Sequence, residues 1–310
     1  MSFLYARNYK KEICVWSDTK VSFSSSEEQE IFQKSVLNGS MAEYHKIDKL
    51  GVVKNVIING NICVAFAGNL KHFNELLEYI EDNRIYDIGS ITKKAEQINR
   101  KYFGDTDFIV ALANNSGNEL YLIQSSRINL VDACKIGSDK KTYEIFDSER
   151  EKIKNRDEME AGCTRVTIEN DLSDVDNLDS ISIDRRAFKY TIKNTEDLSV
   201  GGFIISCTGS KGSFMYMEEF ETNVEKKRTV DPDGIIQLFD NAEDGGYAFH
   251  FYDSTNFVSM YIYQMKKGVI YRPYLEDKDY NHLRFPTIYD CSENEFIEEN
   301  NITPPSIIYG

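Results

Sequence analysis

The order of apolar patterns along the chain predicts an α+β fold, in which antiparallel hairpins alternate with pairs of helices. Short apolar runs typical of strands come first, followed by two segments with a helical period. Further strands, two more helical segments and closing strands follow. Helices grouped between hairpins favour antiparallel sheets covered by helical layers over a regular βαβ alternation. The 310 residues suffice for one large domain, or for one domain with an appendage.

The strand predictions depend on short apolar runs that end in turn residues. The run "KEICVWSD" stops at Ser17-Asp18, which indicates a first strand with a polar end. In "KNVIINGNICVAFAGN", Asn59-Gly60 separates two apolar runs, and both residues tolerate a positive φ, so a tight hairpin is expected. The runs "FIVALA" and "ELYLIQ" flank "NNSGN" and predict a second hairpin.

Helices are predicted where apolar residues recur at a period near 3.6. Phe73, Leu76, Leu77 and Ile80 predict a helix over 69–83, and a similar pattern predicts a second over 88–103. A charged third helix follows a Gly-Ser turn, where Ser138 or Asp139 is placed to cap it. The acidic, poorly periodic stretch 156–182 is expected to be a long loop. "IDRRAFKYTIKNTEDLS" predicts a fourth helix, and "VGGFIISCTG" with "SFMYMEEFE" a closing strand pair.

The last part of the chain has a different composition and predicts a second domain. Short aromatic runs separated by Gly, Asn and Asp indicate strands, so the chain is divided into a domain of residues 1–223 and a β-rich acidic appendage of residues 224–310. Residues 215–310 contain 8 Lys and Arg and 18 Asp and Glu, hence a net charge of −10, within −15 for the whole chain. Such a surface repels phosphate backbones and anionic lipids, so neither nucleic acid nor a membrane is an expected partner.

Cysteines and histidines show no spacing that suggests a special site. The six cysteines form no CxxC pair, and the four histidines lack metal-ligand spacing. No metal or other cofactor is therefore predicted. No apolar stretch approaches the roughly 20 residues that span a bilayer, and the first residues lack the apolar core of a signal peptide. The expected location is the cytoplasm.

Five short motifs and the first residues occur in an order that resembles a known family. The motifs are "WSDTK", "HKIDKL", "CVAFAGN", "KIGSD" and "DLSVGGF". With them, the chain from Ser2 to about Asn223 resembles the proteasome-like branch of the N-terminal nucleophile (Ntn) hydrolases, and especially its β-type subunits and their simpler bacterial relatives. The resemblance implies a four-layer αββα sandwich. It also implies peptidases that attack with the first residue of the mature chain.

The resemblance assigns a role to one residue of each motif. Ser2 would be the nucleophile, where the family usually has Thr. Asp18 would hold Lys46, the expected active-site lysine, and the Gly68 N–H would stabilise the oxyanion. A further serine and aspartate would orient the N-terminal amine. The candidate catalytic residues are thus Ser2, Asp18, Lys46, Gly68, Ser138 and Asp197.

The chemistry of such a site depends on a free amine at Ser2. A serine hydroxyl needs a base to remove its proton, and an α-amine with a pKa of about 7.7–8.0 can serve near neutrality. Removal of Met1, which a following serine favours, would expose that amine. The expected reaction is hydrolysis of an amide or peptide substrate through an ester intermediate.

Two alternatives share the same fold. The chain could be a catalytically inactive scaffold or interaction subunit, whose appendage docks a protein partner. It could also be an amidase for small molecules rather than a peptidase. Because like charges would face each other in a closed ring of acidic appendages, a monomer or dimer is expected rather than a ring of six or seven subunits.

Overall fold

The computed structural model describes residues 2–20, 53–162, 175–202 and 204–217, and seven strands between residues 219 and 290. Its first ten strands are β1 (Leu4–Asn8), β2 (Glu12–Asp18), β3 (Asn55–Ile58), β4 (Ile62–Gly68), β5 (Thr106–Leu112), β6 (Glu119–Gln124), β7 (Arg127–Leu130), β8 (Ala133–Ile136), β9 (Ile204–Ser210) and β10 (Ser213–Tyr216). The helices of the described residues are α1 (Leu70–Asn83), α2 (Ile88–Lys101), α3 (Lys140–Gly162) and α4 (Val175–Asn194).

These strands form two five-stranded sheets in which every described pairing is antiparallel. The first sheet has the order β10-β9-β2-β1-β8, and the second has the order β3-β4-β5-β6-β7. The hairpin between β3 and β4 turns at Asn59 and Gly60, with φ values of 47° and 75°. The mixed α+β class and its antiparallel sheets are therefore confirmed.

The helices α1 and α2 lie where the apolar period predicts them. Their buried faces include Phe73, Leu76 and Leu77 in α1 and Ile91 and Ile98 in α2. Asn69 caps α1 by accepting a hydrogen bond from the Lys71 amide, and Asp87 caps α2 in the same way from Ser90. Such caps satisfy amide groups that have no partner within the helix.

The prediction of a loop over residues 156–182 is wrong at both ends. Helix α3 continues to Gly162, and helix α4 already begins at Val175, while residues 163–174 lie outside the described residues. The sequence "RDEMEAG" at the end of α3 shows no apolar stripe, but Arg, Glu, Met and Ala are strong helix formers that extend a helix without one. Asp139 rather than Ser138 caps α3, since its carboxylate accepts the Thr142 amide at 2.8 Å.

Alternate residues of β1 belong to two different hydrophobic clusters. Leu4 and Ala6 pack in a cluster that includes buried residues of both sheets and of α1 and α2. Tyr5, together with Phe3 directly before the strand, packs with Trp16 and with apolar residues of α3 and α4. The two faces of the first sheet thus belong to different hydrophobic clusters, as the period of two along a strand requires.

All described residues beyond 218 lie in strands: β11 (Glu219–Glu221), β12 (Arg228–Val230), β13 (Ile236–Leu238), β14 (Ala248–Asp253), β15 (Phe257–Ile262), β16 (Lys267–Tyr271) and β17 (Thr287–Asp290). Five of them form a sheet in the order β11-β14-β15-β16-β17, and β12 pairs with β13. Because β11 pairs with β14, this sheet includes residues that precede the predicted boundary after residue 223.

None of the helices in the described part of the chain has both the length and the apolar composition needed to cross a membrane.

Candidate active site

The Asp18 carboxylate is the centre of a buried polar cluster at the start of β1. Asp18 ends β2 and has no exposed surface. Its Oδ1 accepts the Phe3 amide at 3.1 Å, and its Oδ2 accepts the Gly201 amide at 3.0 Å. The Asp18 amide donates to the Phe3 carbonyl at 3.2 Å. Asp18 therefore fixes the backbone of the residue that directly follows Ser2.

The cation that pairs with Asp18 is Lys54. Its Nζ lies 2.8 Å from Asp18 Oδ1 and also donates to the Lys20 carbonyl at 2.5 Å. Lys46, the lysine that the family resemblance implies, lies outside the described residues. The signal that was missed is position, because Lys54 directly precedes β3 whereas Lys46 lies nine residues before it.

Burial and pairing shift the pKa values of Asp18 and Lys54 in opposite directions. Burial raises the pKa of Asp18, while the charge of Lys54 and the amides of Gly201 and Phe3 lower it. Burial lowers the pKa of Lys54, and the neighbouring Asp18 carboxylate raises it. Two charges withdrawn from water to this extent persist only when each satisfies the other.

Ser2 is buried beneath the turn that follows β8. It is 3% exposed, and its amide donates to the Gly137 carbonyl at 3.4 Å. Gly137 has a φ of 92°, and a Cβ built on it would lie 2.3 Å from the Ser2 carbonyl oxygen and 2.4 Å from the Ala67 Cβ. Only glycine combines this backbone conformation with so close an approach.

Phe3, the residue next to Ser2, is anchored by its aromatic ring. Its ring stacks on Phe188 of α4 with the centroids 4.9 Å apart, and it also contacts Phe146 of α3. Phe3 has no exposed surface. The start of β1 is thus held by the packing of the Phe3 ring on α3 and α4 and by the hydrogen bonds between Phe3 and Asp18.

A second polar cluster adjoins Ser2 through the same turn. Ser138, which follows Gly137, donates its hydroxyl to Asp197 Oδ2 at 2.9 Å, and the Ser199 hydroxyl donates to Oδ1 at 2.5 Å. Burial raises the pKa of Asp197, but the hydrogen bonds from Ser199 and Ser138 outweigh it and hold that pKa below its usual value. The structure therefore brings Ser138 and Asp197 together, while their proposed role in orienting an amine stays a prediction.

The loop 197–201 connects the two clusters. Asp197 at its start binds Ser138, and Gly201 at its end donates its amide to Asp18. The Val200 amide donates to the Asp197 carbonyl at 3.0 Å, which closes the loop into a turn. One short segment thus carries Asp197 and binds the Asp18 carboxylate.

Gly68 lies at the exposed end of β4, opposite Thr106 of β5. A Cβ built on Gly68 would lie 2.2 Å from the Asp105 carbonyl oxygen, and its φ is 130°. This close approach leaves no room for a side chain at position 68, which is a reason for glycine there apart from any role in catalysis. Its use as an oxyanion donor stays a prediction.

No protein-family model matches this chain, and no curated protein sequence matches it. In the part of the chain that the structure describes, no group of three or more His, Cys, Asp or Glu side chains is arranged to hold a metal ion.

Proposed function

We propose that residues 2 to about 223 form an Ntn hydrolase domain of the proteasome-like type, with the four-layer αββα sandwich that the resemblance implies. The two hydrophobic clusters support this layering. One includes α1, α2 and residues of both sheets, and the other joins the first sheet to α3 and α4. In this arrangement each sheet has helices on one face and the other sheet on its opposite face.

The observation that carries the proposal is the buried ion pair of Lys54 and Asp18 beside the chain's second residue. A lysine with only 2% of its side chain exposed is costly. Its partner Asp18 binds the amide of Phe3, so the pair lies one residue from Ser2. Perturbed, mutually dependent ionisable groups of this kind are typical of catalytic sites.

In the proposed mechanism Ser2 attacks the carbonyl carbon of an amide after Met1 has been removed. Its Oγ forms the new bond while the proton of Oγ passes to the free α-amine of Ser2, which acts as the base. The positive charge of Lys54 favours the alkoxide that develops. Lys54 here takes the role that the resemblance implied for Lys46.

The remaining residues orient the amine and complete the reaction. Asp197 and Ser138 hold the protonated amine so that its proton passes to the leaving nitrogen, and the C–N bond breaks. Water then attacks the carbonyl carbon of the resulting ester and gives a proton to the same amine. The amine passes that proton to the Ser2 Oγ as the C–Oγ bond breaks, which releases the carboxylic acid and restores Ser2. The Gly68 N–H remains the donor proposed for the oxyanion, an interaction worth about 2.7–4 kcal/mol in enzymes where one such donor was removed.

An inactive scaffold is the second candidate. Ser2 is 3% exposed, and its nitrogen already donates to the Gly137 carbonyl. If Met1 is retained, that nitrogen is an amide and has no basic lone pair. The same residues would then serve only to hold β1 in place.

The experiment that tests the proposal uses a peptide epoxyketone, which bonds to both the hydroxyl and the free amine of an N-terminal serine. Intact mass spectrometry first determines whether Met1 is absent. If it is retained, Ser2 is exposed by placing a cleavable leader before it. We expect one probe molecule per chain, lost in Ser2→Ala and kept in Ser2→Thr.

Ser116→Ala provides the matched control, since Ser116 lies in the exposed turn between β5 and β6. It should be labelled as fully as the unaltered chain. A chain with a free Ser2 amine that fails to react with the probe would favour the scaffold.

A further inference from the structure

Lys20 is fixed to the candidate site through both of its backbone groups. Its amide donates to the Gly201 carbonyl at 3.1 Å, and its carbonyl accepts from Lys54 Nζ at 2.5 Å. Lys20 thus follows Asp18 by two residues and touches the same loop and the same lysine.

The side chain of Lys20 extends across Gly201. A Cβ built on Gly201 would lie 3.3 Å from Lys20 Cδ and 4.0 Å from its Nζ. Glycine at position 201, where φ is 147°, leaves room for this lysine. Lys20 as a whole is half-buried, so part of the residue is accessible from solvent.

The charge of Lys20 is not balanced by a carboxylate among the described residues. Asp18 forms its ion pair with Lys54, and Asp197 binds two serine hydroxyls. The ion pairs of the described part of the chain do not include Lys20. After burial, the nearby charge of Lys20 is one of the causes that lower the pKa of Lys54, which agrees with two ammonium groups close together.

We propose that the Lys20 ammonium binds a carboxylate of the substrate, so that the site selects amides with an acidic group beside the scissile bond. This inference rests on the proposed hydrolase function and names its substrate class. Lys20 is then a specificity residue rather than part of the proton transfer. The overall charge of −15 does not oppose it, because charges beyond about 8 Å are largely screened at physiological ionic strength.

The experiment compares two matched aminocoumarin amides, one of N-acetylglutamate and one of N-acetylglutamine, coupled at the α-carboxyl. They differ only in the charge of the side chain. For a half-exposed ion pair, the unaltered chain should show a kcat/KM about fivefold higher for the glutamyl amide. Lys20→Met should reduce this ratio to about one, and Lys20→Arg should keep most of it. Lys93→Met, on the exposed face of α2, is the control and should keep the ratio.

A second measurement separates this inference from the proposed hydrolysis. Calorimetric titration of Ser2→Ala with the α-carboxamides of N-acetylglutamate and of N-acetylglutamine needs no reaction, and Lys20→Met in that background should abolish the preference for the glutamate compound. If neither amide is cleaved by a chain with a free Ser2 amine, the hydrolase proposal fails and the titration alone decides the role of Lys20. Equal binding or cleavage of both compounds by the unaltered chain overturns the inference.

Discussion

The ammonium of Lys54 lies 2.8 Å from the carboxylate of Asp18, with 2% and 0% of the two side chains exposed. Removing two charges from water is expensive, and an apolar pair of similar size is often no less stable. Stability alone therefore gives no reason to keep them. Their place beside Phe3 and Ser2 is the ground for the catalytic role that we propose for them.

The first prediction concerns Lys54→Met, which leaves the Asp18 carboxylate buried without a partner. We expect a loss of about 3–5 kcal/mol in the free energy of unfolding, measured with urea. Labelling of Ser2 by the epoxyketone should also be lost. Asp18→Asn combined with Lys54→Met should lose less than the sum of the single variants, because no unpaired charge remains.

Lys46→Met is the comparison for this prediction. If labelling of Ser2 is abolished in Lys46→Met and retained in Lys54→Met, the catalytic role belongs to Lys46, and Lys54 is a structural partner of Asp18.

The second prediction concerns Gly137→Ala. The new methyl group would lie 2.3 Å from the Ser2 carbonyl oxygen, so Ser2 or the turn must move. Gly104→Ala is the matched control, since Gly104 has a φ of 80° with nothing within 4 Å of its missing Cβ. Gly104→Ala should lower the free energy of unfolding by about 1–2 kcal/mol, because alanine is strained in this backbone conformation. Gly137→Ala should lower the free energy of unfolding by more than this and should also slow the labelling of Ser2. An equal loss of stability in the two variants would mean that the turn adapts without moving Ser2.

The parts of the fold that follow from local signals could be predicted from the sequence. Asn59-Gly60 forms its turn because both residues accept positive φ, and α1 follows from the spacing of Phe73, Leu76 and Leu77. The end of α3 could not be found in this way, because its residues carry helix propensity without an apolar stripe. Strand β7 is not predicted either: its four residues RINL alternate between polar and apolar, but so short a run is a weak signal, and all four are exposed.

For the candidate site, the sequence indicates only those residues that belong to short motifs. Ser138 and Asp197 were chosen from short motifs, and the structure brings them to 2.9 Å. The position of Lys54 directly before β3 is the one local signal for it, and that signal is weak, because its partner Asp18 lies 36 residues earlier and the local sequence does not mark a lysine as buried. Lys20 became a candidate only through its contact with Gly201.

The third prediction is a pH dependence caused by Asp197. Its pKa in the folded chain lies below the usual value, so the unfolded state binds the proton more tightly and stability rises with pH between the two values. The contribution of Asp197 to the free energy of unfolding is complete above the ordinary pKa of about 3.9. It is lost as the pH falls through the pKa that Asp197 has in the folded chain. The difference in unfolding free energy between the unaltered chain and Asp197→Asn should therefore shrink as the pH falls from about 6 to 3. A difference that stays constant over this range would contradict the assignment.

The last prediction concerns a second buried carboxylate, Asp184 of α4, which has no exposed surface. It accepts the hydroxyls of Tyr5 and Tyr9 at 2.9 and 2.6 Å and binds the guanidinium groups of Arg7 and Arg150. Burial, followed by the charge of Asp184, raises the pKa of both tyrosines, so they remain donors at neutral pH. This cluster fastens β1 to α3 and α4 away from Ser2.

Tyr9→Phe removes one donor from Asp184 and should lower the free energy of unfolding by about 1.5–3 kcal/mol, as for hydrogen bonds to charged groups. Tyr86→Phe, at a side chain that is 50% exposed, is the control and should change it by less than about 0.5 kcal/mol. Because the Asp184 cluster contains none of the groups proposed for catalysis, Tyr9→Phe should keep full labelling of Ser2 at temperatures where the chain stays folded. A loss of labelling without a loss of stability would show that Asp184 acts on the candidate site through β1, and a change in neither would show that water replaces the Tyr9 hydroxyl.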